Sequence, residues 1–295
     1  MKCRYRIAGH RVQIVFPDDA DVGYLLPSYA PFADEGEGEC LFRLTVDPCF
    51  RWVAKGEEVG QFDCGGRNFG VYVLPDGAYQ FEICDERNEL CALLQSNADF
   101  SDCTCALVAR GKAGQRYGLN NALMLVYAFA AAPHATLLMH SSVVRQGGKG
   151  YCFLGKSGTG KSTHTRLWLR HVPGSDLMND DNPVVRVQED GVWVYGSPWS
   201  GKTPCYRNVA APVGAFVQLR QHAENRMGRE SVVDSFVSLL TSVSTMKWDA
   251  RIYAFHCDTL SDILRRTPVY LLECRPDEEA AQLSFRTVTA NAGGL

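Results

Sequence analysis

"FLGKSGTGKST", Phe153 to Thr163, decides how the second half of the chain is read. A short apolar run, "GYCFLG", leads into it, and "STHTRLWLRHV" leaves it with helical character. Gly155-Lys156-Ser157-Gly158-Thr159-Gly160-Lys161-Ser162 matches G-x-x-x-x-G-K-[ST] in full. The glycines let the backbone curl so that successive N–H groups point inward at phosphate oxygens. Lys161 reaches the β- and γ-phosphates, the Ser162 hydroxyl can ligate Mg²⁺, and the helix that opens there, through Thr163, adds its positive end. A chance match in a chain this long has a probability of order ~1%. The expected cofactors are therefore ATP, or another nucleoside triphosphate, and Mg²⁺. Such a loop names the phosphoryl donor and leaves the acceptor open.

Downstream lies Asn179-Asp180-Asp181-Asn182, after the apolar step Leu177-Met178 and one helix beyond Lys161. Asp-Asp is common in turns. At the end of a strand beside a phosphate loop, one carboxylate is the usual second Mg²⁺ anchor. A second one allows a division of labour, one acid on the metal and the other taking a proton. Upstream, His140 sits in "LLMHSSVV", on a strand expected to neighbour the loop strand. A histidine there is either a satisfied core residue or a group beside the phosphates. "GSPWSGKTPCYRNV", Gly196 to Val209, reads as a loop after a strand. Its Lys202 and Arg207 are candidates for substrate charge, or members of an ordinary basic loop.

Composition narrows the partners. The 295 residues are 46% hydrophobic and 21% charged, with a net charge of −3. No global basic field points to nucleic acid or an anionic membrane. The most apolar window, Ala122 to Met139, is broken by Pro133 and His134 into pieces too short to span a bilayer. "MKCRY" opens into an alternating strand and not an apolar leader. The 12 cysteines have no paired Cys-x-x-Cys spacing. Free thiols and a cytoplasmic location are expected.

Residues 1–110 read as a β-rich domain. "YRIAGHRVQIVF" alternates about a turn, and "VYVLPDGAYQFEIC" is a hairpin around Pro75-Asp76-Gly77. No catalytic constellation stands out there, so recognition or assembly is its expected task. Residues 111–295 alternate strands and helices, beginning with an apolar helix over "AGQRYGLNNALMLVYAFAAA". The fold class expected is α/β with mixed sheets.

Together, His140, the loop 155–162 and the pair Asp180-Asp181 resemble the catalytic domain of bacterial HPr kinase/phosphorylase, within the phosphoenolpyruvate carboxykinase-like P-loop group. The resemblance covers residues 136–215. It implies that Lys161 stabilises the transferring phosphoryl group and that His140 sits beside the phosphates. Ser162 and Asp180 would hold Mg²⁺, and Asp181 would act as general base toward a hydroxyl of a protein, peptide or small molecule. The chain departs from the family at the second loop position, usually acidic and here Lys156, and in the region after "VWVYGSPW", where the family's Glu-Ile-Arg-Gly-Leu-Gly segment is missing. A nucleotide-binding scaffold with little turnover, and a carboxykinase-like enzyme, are the alternative expectations.

Overall fold

Hairpins build much of both sheets. The structure, a computed structural model, describes residues 1–63, 68–201 and 203–290. The chain divides into two compact units, Met1–Ala131 with Lys247–Ala250, and Ala132–Met246 with the chain from Arg251 on.

The first unit holds strands β1 (Lys2–Ile7), β2 (His10–Val15), β3 (Phe42–Val46), β4 (Glu57–Asp63), β5 (Asn68–Val73), β6 (Tyr79–Cys84), β7 (Leu90–Ser96) and β8 (Asp102–Leu107). They form one sheet in the order β1-β2-β3-β8-β7-β6-β5-β4. It is mixed, because β3 runs parallel to both β2 and β8. A short helix α1 (Val22–Leu25) and the long helix α2 (Lys112–Ala130) complete the unit.

Helix α2 was expected to open the second domain after residue 110. It belongs instead to the first unit, and the division falls at Ala131/Ala132. The physical reason is its packing. Gly118 lies so close to Cys91 and Ala92 of β7 that a Cβ would meet them at 2.9–3.0 Å. Tyr127 donates its hydroxyl to the Ile7 carbonyl at 3.1 Å. Eleven of the helix's residues are buried.

The second unit is built on β9 (Thr136–Leu138), β10 (Ser141–Gln146), β11 (Lys149–Leu154), β12 (Asp176–Asp181), β13 (Val184–Gln188), β14 (Gly191–Tyr195), β15 (Ala210–Gln221), β16 (Arg226–Arg229) and β17 (Val269–Cys274). The 12-residue β15 joins two sheets. Its first residues pair with β14, which continues through β13 to β9. From Val213 on it pairs with β11, and from Phe216 on also with β17, parallel to both. That main sheet reads β12-β10-β11-β15-β17-β16.

Helices cover both of its faces, and the alternation of side chains along each strand assigns them. Tyr151 and Phe153 of β11, with Ala215 and Val217 of β15, pack on Trp168 of helix α3 (Lys161–His171) and on Ala281 and Val288 of a later helix, Glu278–Ala290. Cys152, Leu154 and Phe216 face the other way, onto Leu239 of helix α4 (Val232–Leu240) and Leu260 and Ile263 of helix α5 (Ala250–Arg266). With the closing helix Glu278–Ala290 as α6, this unit is a three-layer α/β arrangement with mixed sheets. No helix of the described residues is long and apolar enough to cross a membrane. The 11 cysteines among the described residues are all free thiols.

Candidate active site

Strand register converges the candidate residues on one sheet edge. The β10–β11 hairpin closes through Gly147-Gly148, both at positive φ, so Ser141 at the start of β10 stands opposite Leu154 at the end of β11. On its other side Ser141 stands opposite Asp181, and Ser142 opposite Asp180. The loop after Leu154 and the aspartate pair therefore end at the same level, two strand spacings or about 10 Å apart. His140, expected within a strand, sits in the link between β9 and β10, directly between them.

The loop has the conformation its glycines imply. Gly155, Gly158 and Gly160 adopt φ of 147°, 82° and 109°. A side chain at Gly155 would also press on Thr159 at 3.1 Å. Gly160 caps α3 without any side-chain hydrogen bond, so the amides of its first turn are left for an anion. Lys156 and Ser157 are exposed at the loop tip. The Lys156 carbonyl accepts from the Thr159 hydroxyl at 2.7 Å, which tightens the turn.

Lys161 folds back under the loop. Its Nζ donates to the Gly155 carbonyl at 2.7 Å and to His140 Nε2 at 2.9 Å. An ammonium only donates, so Nε2 accepts and the proton of His140 resides on Nδ1. That nitrogen lies 3.1 Å from Asp181 Oδ1. The other oxygen, Oδ2, accepts from Asn182 Nδ2 at 2.8 Å. Burial pushes the Lys161 pKa down, against the opposing pull of Asp181 and Asp180.

Asp180 is buried, and its Oδ1 accepts from the Ser162 hydroxyl at 2.9 Å. A hydroxyl and a carboxylate at this spacing suit Mg²⁺, which binds through one or two carboxylates plus phosphate oxygens and water. Among the described residues no group of three or more His, Cys, Asp or Glu side chains forms a complete cage. The donor set thus fits a cation shared with a phosphate ligand.

Three further residues support the pair, and the sequence reading gave them no individual role. Asn179 is fully buried; its Oδ1 accepts from the Asp181 amide at 3.1 Å, and its Nδ2 donates to Ser197 Oγ at 3.1 Å. Ser197 in turn donates to the Asn182 carbonyl. Gly201 donates its amide to the Asp180 carbonyl at 2.7 Å, and a Cβ there would come within 2.9 Å of that oxygen. The only sequence signal for these contacts was the amides flanking the acids in "NDDN".

The loop 196–209 thus backs the aspartates, but Arg207 is not brought to the phosphate loop. Its guanidinium pairs with Asp176 at 2.8 Å and caps the Leu177 carbonyl. Asp176 starts β12, about 16 Å along the strand from Asp181 at a normal strand rise. The other residue expected to carry substrate charge, Lys202, lies outside the described residues.

Under the loop, His164 is buried, and burial lowers its pKa to about 4. Ser284 Oγ donates to the Ala281 carbonyl at 3.0 Å and accepts from Trp168 Nε1 at 2.8 Å. His164 Nε2, 3.0 Å from the same oxygen, must then be the N–H side of the ring. Its Nδ1 is a buried acceptor without a partner among the described residues.

No model of a known protein family matches this chain, and no curated protein matches it either.

Proposed function

We propose that this chain is a Mg²⁺-dependent phosphotransferase with a phosphoenolpyruvate carboxykinase-like P-loop domain, related in mechanism to HPr kinase. It would move the γ-phosphoryl group of ATP, or another nucleoside triphosphate, to a hydroxyl of a protein, peptide or small molecule. One observation carries this reading: the bonded series Lys161–His140–Asp181 lies beside the bonded pair Ser162–Asp180 at one sheet edge. A phosphate loop alone only binds. A loop lysine linked through an imidazole to a carboxylate supplies both a charge for the transferring group and a proton acceptor beyond it.

The steps follow from these side chains. The amides of the loop and of the first turn of α3 hold the phosphate chain, and Lys161 exchanges its contact with the Gly155 carbonyl for the β- and γ-oxygens. Ser162 and Asp180 would hold Mg²⁺, which would neutralise charge on those oxygens. His140 keeps its Nδ1 proton directed at Asp181 and so orients that carboxylate. Asp181 takes the proton of the acceptor hydroxyl as the oxygen attacks in line. Asn182 and the Asn179–Ser197 contacts fix the carboxylate during transfer.

The test is calorimetric titration of MgATP into wild-type chain and the Lys161→Ala variant. Loss of a charged hydrogen bond should weaken binding by roughly 1.5–3 kcal/mol, about ten- to hundredfold. Unchanged affinity would remove the loop as the nucleotide site.

A further inference from the structure

The phosphate loop divides the main sheet into two sides. Toward β10 and β12 lie His140, Asp180 and Asp181. Toward β15 and β17 lies a cavity of about 410 Å³ that begins at Gly158, Thr159 and Thr163. Its volume is in the range of small-molecule sites, about 300–1,000 Å³. β15 and β17 pair as far as Gln221 and Cys274, whereas pairing of β11 with β15 stops at Leu154–Gln218. The last residues of these two strands therefore project past the loop strand as a wall. Gln221 ties the wall to the loop, donating to the Gly158 and Thr159 carbonyls at 3.3 and 3.4 Å.

We infer that this cavity seats the nucleoside of the phosphoryl donor, which makes the donor a nucleoside triphosphate and not pyrophosphate or a polyphosphate chain. The inference rests on the kinase reading of the loop and adds a direction to it. The γ-phosphate must point to the side that holds Asp181, so the other end of the chain leaves on the side of the cavity.

The lining has the chemistry a nucleoside needs. Leu219, Cys274 and Pro276 provide apolar wall. Arg220 and Arg275 flank it as planar guanidinia, anchored to Glu273 at 3.3 Å and to Asp277 at 3.0 Å. An anchored guanidinium still offers its face for stacking on a base. His164 also lines the cavity. A bare polyphosphate, all acceptors, satisfies none of these groups except the arginines.

The probes are MgATP and magnesium tripolyphosphate, titrated calorimetrically into the full chain. Wild type should bind ATP at least about tenfold more tightly, the equivalent of about 1.4 kcal/mol from the nucleoside. Cys274→Phe places a ring in the cavity and should abolish that preference while tripolyphosphate still binds, which also reports an intact loop. Arg275→Ala, at an exposed side chain, should reduce the preference about threefold by removing one stacking face. Equal affinity of wild type for the two ligands overturns the inference, as does an undiminished preference in both variants, and the loop reading survives either result. Failure of wild type to bind either ligand overturns the loop reading and this inference with it.

Discussion

The two ends of β12 carry the same functional group in opposite circumstances. At its start, Asp176 is clamped by Arg145, with bonds of 3.0 and 2.8 Å, and by Arg207. Burial alone would raise the Asp176 pKa, but the two guanidinia outweigh it and hold the carboxyl below its usual range. At the other end, the Asp180 carboxylate accepts from a serine hydroxyl and that of Asp181 from an imidazole and an amide side chain, and among the described residues no arginine is bonded to either. An acid neutralised by two fixed cations is finished structure. An acid held in place by neutral donors is oriented without a bonded cation.

Substitutions along this one strand should break or sharpen the contrast. The largest effect is expected from Asp181→Asn, which keeps the shape but cannot take a proton. Phosphoryl transfer should fall by ~10²–10⁴ while MgATP still binds. Full turnover with the physiological acceptor would instead favour a nucleotide-binding scaffold. Asp180→Asn should weaken MgATP affinity by roughly 1.5–3 kcal/mol and raise the Mg²⁺ concentration needed for binding. A titration at varied Mg²⁺ reads both.

Gly201→Ala tests the backing loop. A methyl group 2.9 Å from the Asp180 carbonyl has to be accommodated by moving one or the other. Thermal unfolding should report a loss of about 1–3 kcal/mol, and transfer should fall together with stability.

The smallest effect belongs to the clamped end. The Asp176 pKa is lower in the folded state than in the unfolded one. Its contribution is therefore complete above the unfolded value of about 4 and is lost as pH falls through the lower folded value. Asp176 is more than a third exposed, and solvent screening limits the loss in Asp176→Asn to about 1 kcal/mol at neutral pH. The gap from wild type should close in acid. Arg207→Ala should likewise leave the kinetics of transfer untouched; a raised KM for the acceptor would return Arg207 to the substrate site.

The conformation of the 155–162 loop was legible because it is set locally. Eight consecutive residues set the curl, the charge and the helix start, and the flanking periodicities supplied the strand and the helix. His140 and the aspartates were legible through their order along the chain. What escaped depended on register. Nothing in "GSPWSGKTPCYRNV" tells that Gly201 meets one end of β12 and Arg207 the other, because the loop runs back along a strand whose partners are distant in sequence. The placement of α2 was hidden for a related reason. A helix buried on many faces reads the same against either unit, and the close approach of Gly118 to β7 and the bond of Tyr127 to Ile7 assign it. The cavity wall is made from the ends of two strands more than fifty residues apart, beyond the reach of any motif.

One contact described above also bears on how fast the site can fill. Lys161 is already bent beneath its own loop, with its amine on the Gly155 carbonyl and the His140 ring. A free lysine side chain surrenders about 1.5–2 kcal/mol of rotamer entropy when it is immobilised. Here most of that ordering belongs to folding rather than to the encounter with ligand. On the proposed reading, a phosphate would exchange partners on a stationed amine, so this residue should add little to the waiting time between collision and capture.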